Sequence, residues 1–342
     1  MAIQVKVTER VLHFKQPAGT SRGVYNERKS WFVEISDGER CGVGECAPLP
    51  DLSCDAMPPY IYNKVLREFC NQVEQTGRID YEAMRDYPSM LFGLETALLS
   101  FRQPQLFDTP FSCGEQGIPI NGLVWMGSYE EMLQRIEDKL AQGFRCVKLK
   151  VGAIDFDREL DLVKSIRERF SFHDVELRLD ANGGFASDDA LYQLELLSQY
   201  AIHSIEQPIR QKQWSIMAGL CRDAPLPIAL DEELIGVNEP EMKRQMLRII
   251  KPAYIVLKPS LHGGMMGCRE WIDIAREEGV GSWITSALES NVGLNSIARF
   301  CSAVYGENIT MPQGLGTGLL FTDNIPMPLE IRGDQLWVSK NS

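Results

Sequence analysis

Two lysines one residue apart, Lys148 and Lys150, lie inside the short apolar run 146–152. On a β-strand, residues i and i+2 face the same way, so the two ammonium groups stand about 7 Å apart on one face. A buried strand does not carry two like charges toward a core unless something anionic faces them. An isolated pair of this kind reads as the solvated face of an edge strand. The acids that follow change that reading. Asp180, Glu206 and Asp231 each end a short β-like run, and Lys258 ends another. Three carboxylates converging on one point repel one another, and a hard divalent cation relieves them. An all-oxygen donor set favours Mg²⁺ or Mn²⁺.

The spacing places these residues. Apolar runs that read as strands end near 124, 150, 180, 206, 231, 258, 286 and 312, with helical periodicity between them. The steps are 26, 30, 26, 25, 27, 28 and 26 residues. Eight strand–helix units at so even a period predict a (β/α)8-type barrel, an α/β fold, over residues 116–319. An open doubly wound sheet also alternates, but Gly183 and Gly184 lack the spacing of a nucleotide-binding turn. In a barrel the C-terminal rim of the strands carries the chemistry. The second and sixth strands are diametrically opposed, so Lys148 and Lys150 face Lys258 across the ring, with the three acids between them. That arrangement suits abstraction of a proton alpha to a carboxylate, with a metal stabilising the enediolate and a lysine taking the proton. The second lysine and the metal are expected to lower the pKa of the acting base.

Residues 1–115 read differently. Residues 4–12 alternate as a strand does, 30–36 and 41–45 form a hairpin joined at Asp37-Gly38, and 60–75 and 89–102 are helical. Strands followed by helices predict an α+β capping unit, completed by about 320–342. Residues 17–23 are small, polar and glycine-containing, and read as a mobile loop. Ser128 and Glu131 form a capping box for a helix running to 142, stopped by Gly143, and Ser187 reads as the cap of a later helix.

Composition removes several classes. The chain has 342 residues and a formal charge of −12, without the basic patch of a nucleic-acid binder. No apolar run approaches a membrane span, and the first residues lack a signal-peptide core. These features point to a cytoplasmic protein acting on a small-molecule carboxylate, not a partner of nucleic acid or membrane. The nine cysteines show no paired spacing and read as reduced thiols, Cys146 and Cys301 as small core residues. The four histidines form no zinc motif. Oligomeric state is not encoded legibly.

Taken together, Lys148-Leu149-Lys150, Leu179-Asp180-Ala181-Asn182, Ile205-Glu206-Gln207-Pro208, Leu230-Asp231-Glu232 and Leu257-Lys258-Pro259 resemble the enolase superfamily, in the subgroup of muconate cycloisomerase, dipeptide epimerase and o-succinylbenzoate synthase. Within it the o-succinylbenzoate synthase family is most similar. Gly44-Glu45-Cys46-Ala47-Pro48-Leu49-Pro50 is similar to its capping signature. Ser286-Ala287-Leu288-Glu289-Ser290 with Val292-Gly293-Leu294, and Gly314-Leu315-Gly316-Thr317, are similar to its seventh- and eighth-strand motifs. Thr322-Asp323 is a single acid where dipeptide epimerases carry a paired one. The resemblance implies a lyase of menaquinone biosynthesis, a syn dehydration of 2-succinyl-6-hydroxy-2,4-cyclohexadiene-1-carboxylate to 2-succinylbenzoate. It implies Lys150 as base and then acid, Lys258 as the opposing cation, and Mg²⁺ on Asp180, Glu206 and Asp231.

Substrate choice falls to the loops. The expected contacts are Thr20 and Arg22 in the capping loop, residues 50–54, and Ser286, Ser290, Gly314 and Gly316 at the last strand ends. The same lysines and metal serve epimerisation and N-acylamino acid racemisation, which stay open as alternatives. A scaffold or sugar-binding barrel would not need opposed lysines and converging acids. A phosphate-binding barrel would explain 314–318 but not the acids.

Overall fold

The computed structural model describes residues 3–20, 23–125, 127–152, 155–318 and 320–339. The chain begins with an antiparallel sheet of β1 (Gln4–Thr20), β2 (Gly23–Ser36) and β3 (Cys41–Cys46). The turn at Asp37-Gly38 forms as expected: Asp37 accepts the amides of Glu39 and Arg40, and Gly38 takes a left-handed φ of 89°. Trp31, Val33 and Ile35 pack with α1 (Pro59–Thr76) and α2 (Pro88–Arg102). The alternate residues Arg28 and Ser30 are buried too, but they hydrogen-bond away from that core. The sheet lies close on α2, since a Cβ at Gly44 would stand 1.9 Å from the Gly93 carbonyl oxygen.

Within the stretch expected to be a loop, 17–23, residues 18–20 pair instead with 23–25, Thr20 lying opposite Gly23. The anchor is distant in sequence. Phe14 and Ala18 are buried against Phe321, whose ring lies 4.5 Å from that of Phe14. Arg22 falls outside the described residues.

The barrel begins with β4 (Ile118–Pro119) and β5 (Gly122–Val124), followed by α3 (Tyr129–Ala141), β6 (Cys146–Lys150) and α4 (Phe156–Arg169). It continues through β7 (Glu176–Asp180), α5 (Ala190–Ser198), β8 (Ser204–Glu206), α6 (Trp214–Asp223) and β9 (Ile228–Leu230). After a 3₁₀ turn at Glu232–Leu234 come α7 (Pro240–Ile250), β10 (Tyr254–Leu257), α8 (Gly264–Glu277), β11 (Gly281–Ile284) and α9 (Asn291–Tyr305). The strands from β5 to β11 form one seven-stranded parallel sheet in sequence order. The capping box on α3 is present in both directions. Ser187 does not cap α5; its hydroxyl donates to Gln213, and the helix starts three residues later at Ala190.

The eighth strand is reduced to two residues. Gln313 bridges Ile120 and Gly314 bridges Thr285, joining both edges of the sheet. The Gly314 amide reaches the Ile284 carbonyl at 2.9 Å, and the Gln313 side chain, 1% exposed, accepts the Ile284 amide at 2.8 Å. Pro312 before it and Gly314 and Gly316 after it prevent a longer ladder. Instead of an eighth helix, the chain returns toward β1, where the Thr322 amide bonds the His13 carbonyl. It ends in a hairpin, β12 (Leu329–Arg332) and β13 (Gln335–Val338), paired with β4. The inside of the ring holds Ala229, Val256 and Trp283, with the fully buried Arg178 guanidinium 4.7 Å from the Trp283 ring. Cys146 and Cys301 are buried and free. Among the described residues no helix is long and apolar enough to cross a membrane.

Two glutamates of the N-terminal elements cap barrel helices. Glu45 on β3 accepts the Ser290 and Gly293 amides at 3.0 and 2.9 Å at the start of α9. Glu95 on α2 accepts the Met265 and Met266 amides at 2.6 and 3.0 Å at the start of α8. Burial raises the Glu95 pKa to about 8 against the pull of those amides. Its folded pKa lies above the unfolded value, so its contribution is complete below about pH 4.5 and is lost as pH rises through 8. Glu95→Gln is therefore expected to flatten the fall of stability over that window, by on the order of 2–4 kcal/mol. Denaturation midpoints of both proteins from pH 5 to 9 measure this; parallel curves would refute it.

Candidate active site

Strand register assembles the site. In the parallel ladders Lys150 lies opposite Asp180, and Asp180 opposite Glu206. Ala229 lies opposite Glu206, and Asp231 follows two residues on, at the end of the next strand. Carboxylate oxygens of Asp180, Glu206 and Asp231 lie within 4.8 Å of one another, all three side chains buried. Lys148 Nζ donates to Asp180 at 2.9 Å and Glu206 at 2.8 Å, and Lys150 Nζ donates to Asp180 at 2.7 Å. From the far side of the ring Lys258 Nζ donates to Asp231 at 2.5 Å. The opposition inferred from strand counting is thus present: β6 and β10 flank the strands that bear the acids.

Burial and charge compete here. Burial raises Asp180, but Lys148 and Lys150 overcome it and hold the carboxyl well below its ordinary range. Burial pushes Glu206 up to about 7, against the pull of Lys148, and the neighbouring Asp180 and Asp231 carboxylates add to the rise. Burial also lowers Lys148, yet Asp180 and Glu206 outweigh it and raise that lysine above its usual value. Both carboxylates lie in direct contact with Lys148. Lys258 is raised too, Asp231 and Glu232 prevailing over burial.

The donor set fits a divalent cation. Glu206 Oε1 and Asp231 Oδ1 are buried without a hydrogen-bond partner among the described residues, as acceptors awaiting a cation would be. These residues form a site for a divalent metal ion.

In front of the triad lies a cavity of about 90 Å³, lined by Lys148, Lys150 and Lys258. Its walls are apolar where Leu49, Leu52, Trp125, Ala287 and Leu288 line it, and polar where Asn121, Thr285, Ser286 and Thr317 do. Ser286, Gly314 and Gly316 lie in this lining, and the Ser286 hydroxyl pairs with Thr317 at 2.7 Å. Ser290 does not line it: its hydroxyl donates to Glu45 at 2.5 Å and caps α9. A hydroxyl so placed is spent on a helix terminus, which the spacing alone did not separate from a substrate contact. Thr20 closes β1, and its side chain falls outside what the structure describes. Two residues given no role from sequence belong to the site. Asn182 accepts from Lys150 Nζ at 2.6 Å and donates to Glu232 at 2.9 Å. Both follow strand-end acids by one or two residues, and that adjacency is the signal that could have found them.

Comparison with known proteins agrees with this geometry. The family described as enolase C-terminal domain-like matches residues 131–341, and the MenC N-terminal domain family matches residues 19–101. An o-succinylbenzoate synthase from Desulfotalea psychrophila is 46% identical, covering 96% of this chain and 97% of that protein. The crystal structure of MenC from the same organism superposes with a TM-score of 0.82 at 40% identity, over 99% of this chain and all of that one. A dipeptide epimerase from Enterococcus faecalis V583 shares the fold with a TM-score of 0.85 but only 20% identity, covering 99% of this chain and 97% of that one. With its capping and barrel regions both matched, the chain belongs to the o-succinylbenzoate synthase family of the enolase superfamily.

Proposed function

We propose that this chain is a Mg²⁺-dependent o-succinylbenzoate synthase, a hydro-lyase that dehydrates 2-succinyl-6-hydroxy-2,4-cyclohexadiene-1-carboxylate to 2-succinylbenzoate in the cytoplasm. The observation that carries the reading is the pair of opposed lysines, Lys150 and Lys258, both lining one cavity and both bonded to the buried acid triad. A divalent ion held by Asp180, Glu206 and Asp231 supplies Lewis-acid stabilisation of the charge that builds on the substrate carboxylate. Lys150 takes the alpha proton and the C–H electron pair passes into the carboxylate as an enediolate, whose collapse forms the ring double bond as the C–O bond breaks. The same ammonium then returns the proton to the departing hydroxide, so one base on one face serves the syn elimination. Asn182 orients Lys150 by its hydrogen bond. Lys258 lies on the other face and stabilises the enediolate by its charge. Lys148, bonded to both Asp180 and Glu206, keeps two of the acids aligned. The same reading divides the chain into a capping unit, residues 1–115 with about 320–342, and a barrel, residues 116–319. The bonds of 320–322 to β1 support it.

The metal requirement is tested by chelation. Activity is expected to vanish on exhaustive chelation and to return with Mg²⁺; full activity in the chelated protein would refute it. Asp231→Asn is expected to weaken Mg²⁺ binding, read by calorimetry, by about tenfold or more.

The lysine roles are separable. Lys150→Ala is expected to abolish dehydration and alpha-proton exchange together. Lys258→Ala is expected to lower kcat by about 10³-fold while its cause is lost electrostatic stabilisation. A racemase would need one base on each face, so each mutant would lose exchange on one hand of an N-acylamino acid and keep the other. The readouts are absorbance of the cyclohexadiene reaction and deuterium exchange with both enantiomers. Efficient interconversion of enantiomers without dehydration would replace this reading with the epimerase or racemase one.

A further inference from the structure

We propose that Arg28, outside the catalytic machinery, is a positioning residue that fixes the width of the substrate cavity and so governs acceptance of the succinyl arm. The inference rests on the dehydratase reading. Arg28 is on β2 and only 3% exposed. Its Nη1 donates to the Pro48 carbonyl at 2.8 Å, and its Nη2 donates to the Ala47 carbonyl at 2.5 Å and the Ala287 carbonyl at 3.2 Å. One planar guanidinium thus holds three carbonyls from two loops, one after β3 and one after β11. Among the described residues no backbone hydrogen bond joins those loops directly. Next to the bonded carbonyls, Leu49 and Leu288 line the cavity, as Ala287 itself does.

Burial disfavours the charge of Arg28, and nearby carboxylates oppose that cost in part. Glu289 and Glu45 are its facing carboxylates. Glu289 is in turn fixed by the Ser260 hydroxyl and by the Ala287 amide at 2.6 Å, bracing the same loop. Among the described residues no cation lines the cavity except the three lysines at the acid triad, and Leu49, Leu52, Ala287 and Leu288 shape its wall. A wall carried by two loops keeps its spacing only while they are tied. A lysine nitrogen at position 28 retains the charge but cannot present a fork to three carbonyls.

The test uses the Mg²⁺-loaded full chain as wild type, Arg28→Lys and Arg28→Met. Measured are thermal midpoint, Mg²⁺ affinity, kcat, KM, and inhibition by 2-succinylbenzoate and by benzoate. For Arg28→Lys a folded protein with unchanged Mg²⁺ affinity is expected. KM and the 2-succinylbenzoate inhibition constant are expected to rise about tenfold, with kcat within about threefold of wild type and benzoate inhibition unchanged. Arg28→Met, where it folds, is expected to lose more in the same direction. Wild-type constants in folded Arg28→Lys overturn the proposal, as does equal weakening of both inhibitors. Failure of Arg28→Lys to fold also overturns it, because the residue would then serve stability alone. A wild type that does not dehydrate the cyclohexadiene fails the dehydratase reading itself, a result distinct from any loss confined to the variants.

Discussion

Three carboxylates buried side by side require cations. Asp180, Glu206 and Asp231 are wholly removed from solvent, and a lone buried carboxylate costs several kcal/mol. Lys148, Lys150 and Lys258 meet them from two sides, and each contact depends on strands held in one register. A slip of one residue between β6 and β7 would turn the lysines away from the acids. Beneath the cluster, Arg178 and Trp283 fill the ring and deny water a path from below. The barrel thus serves electrostatics first, and the packing follows from it.

Much of this was legible because barrels repeat. Even strand spacing gave the ring, and polar residues at the same point of successive units gave the rim. Lys258 was placed opposite Lys150 by counting alone. Other features were hidden because they depend on contacts between distant segments. The pairing of 18–20 rests on Phe321, some three hundred residues away. The hydroxyl of Ser290 looked like a substrate contact because Glu45, which occupies it, comes from the other end of the chain. Asn182 and Glu232 sit beside the strand-end acids, but their role emerges only from the contacts that place Lys150 between Asn182 and Asp180. The eighth strand fell in the right place, yet proline and glycine cut it to two residues.

The fold is shared with a dipeptide epimerase. What distinguishes a member is the wall facing that machinery. Here part of that wall comes from two segments distant in sequence, one after β3 and one after β11.

The glutamate that caps α9 ties the N-terminal region to the barrel. Glu45 lies early in the chain, yet it completes the terminus of a helix about 245 residues later. The N-terminal region is therefore not a portable module. Joining this barrel to a cap without that glutamate would leave the Ser290 hydroxyl and the Ser290 and Gly293 amides without their partner, so positions 45 and 290 behave as one unit although they lie far apart in the chain.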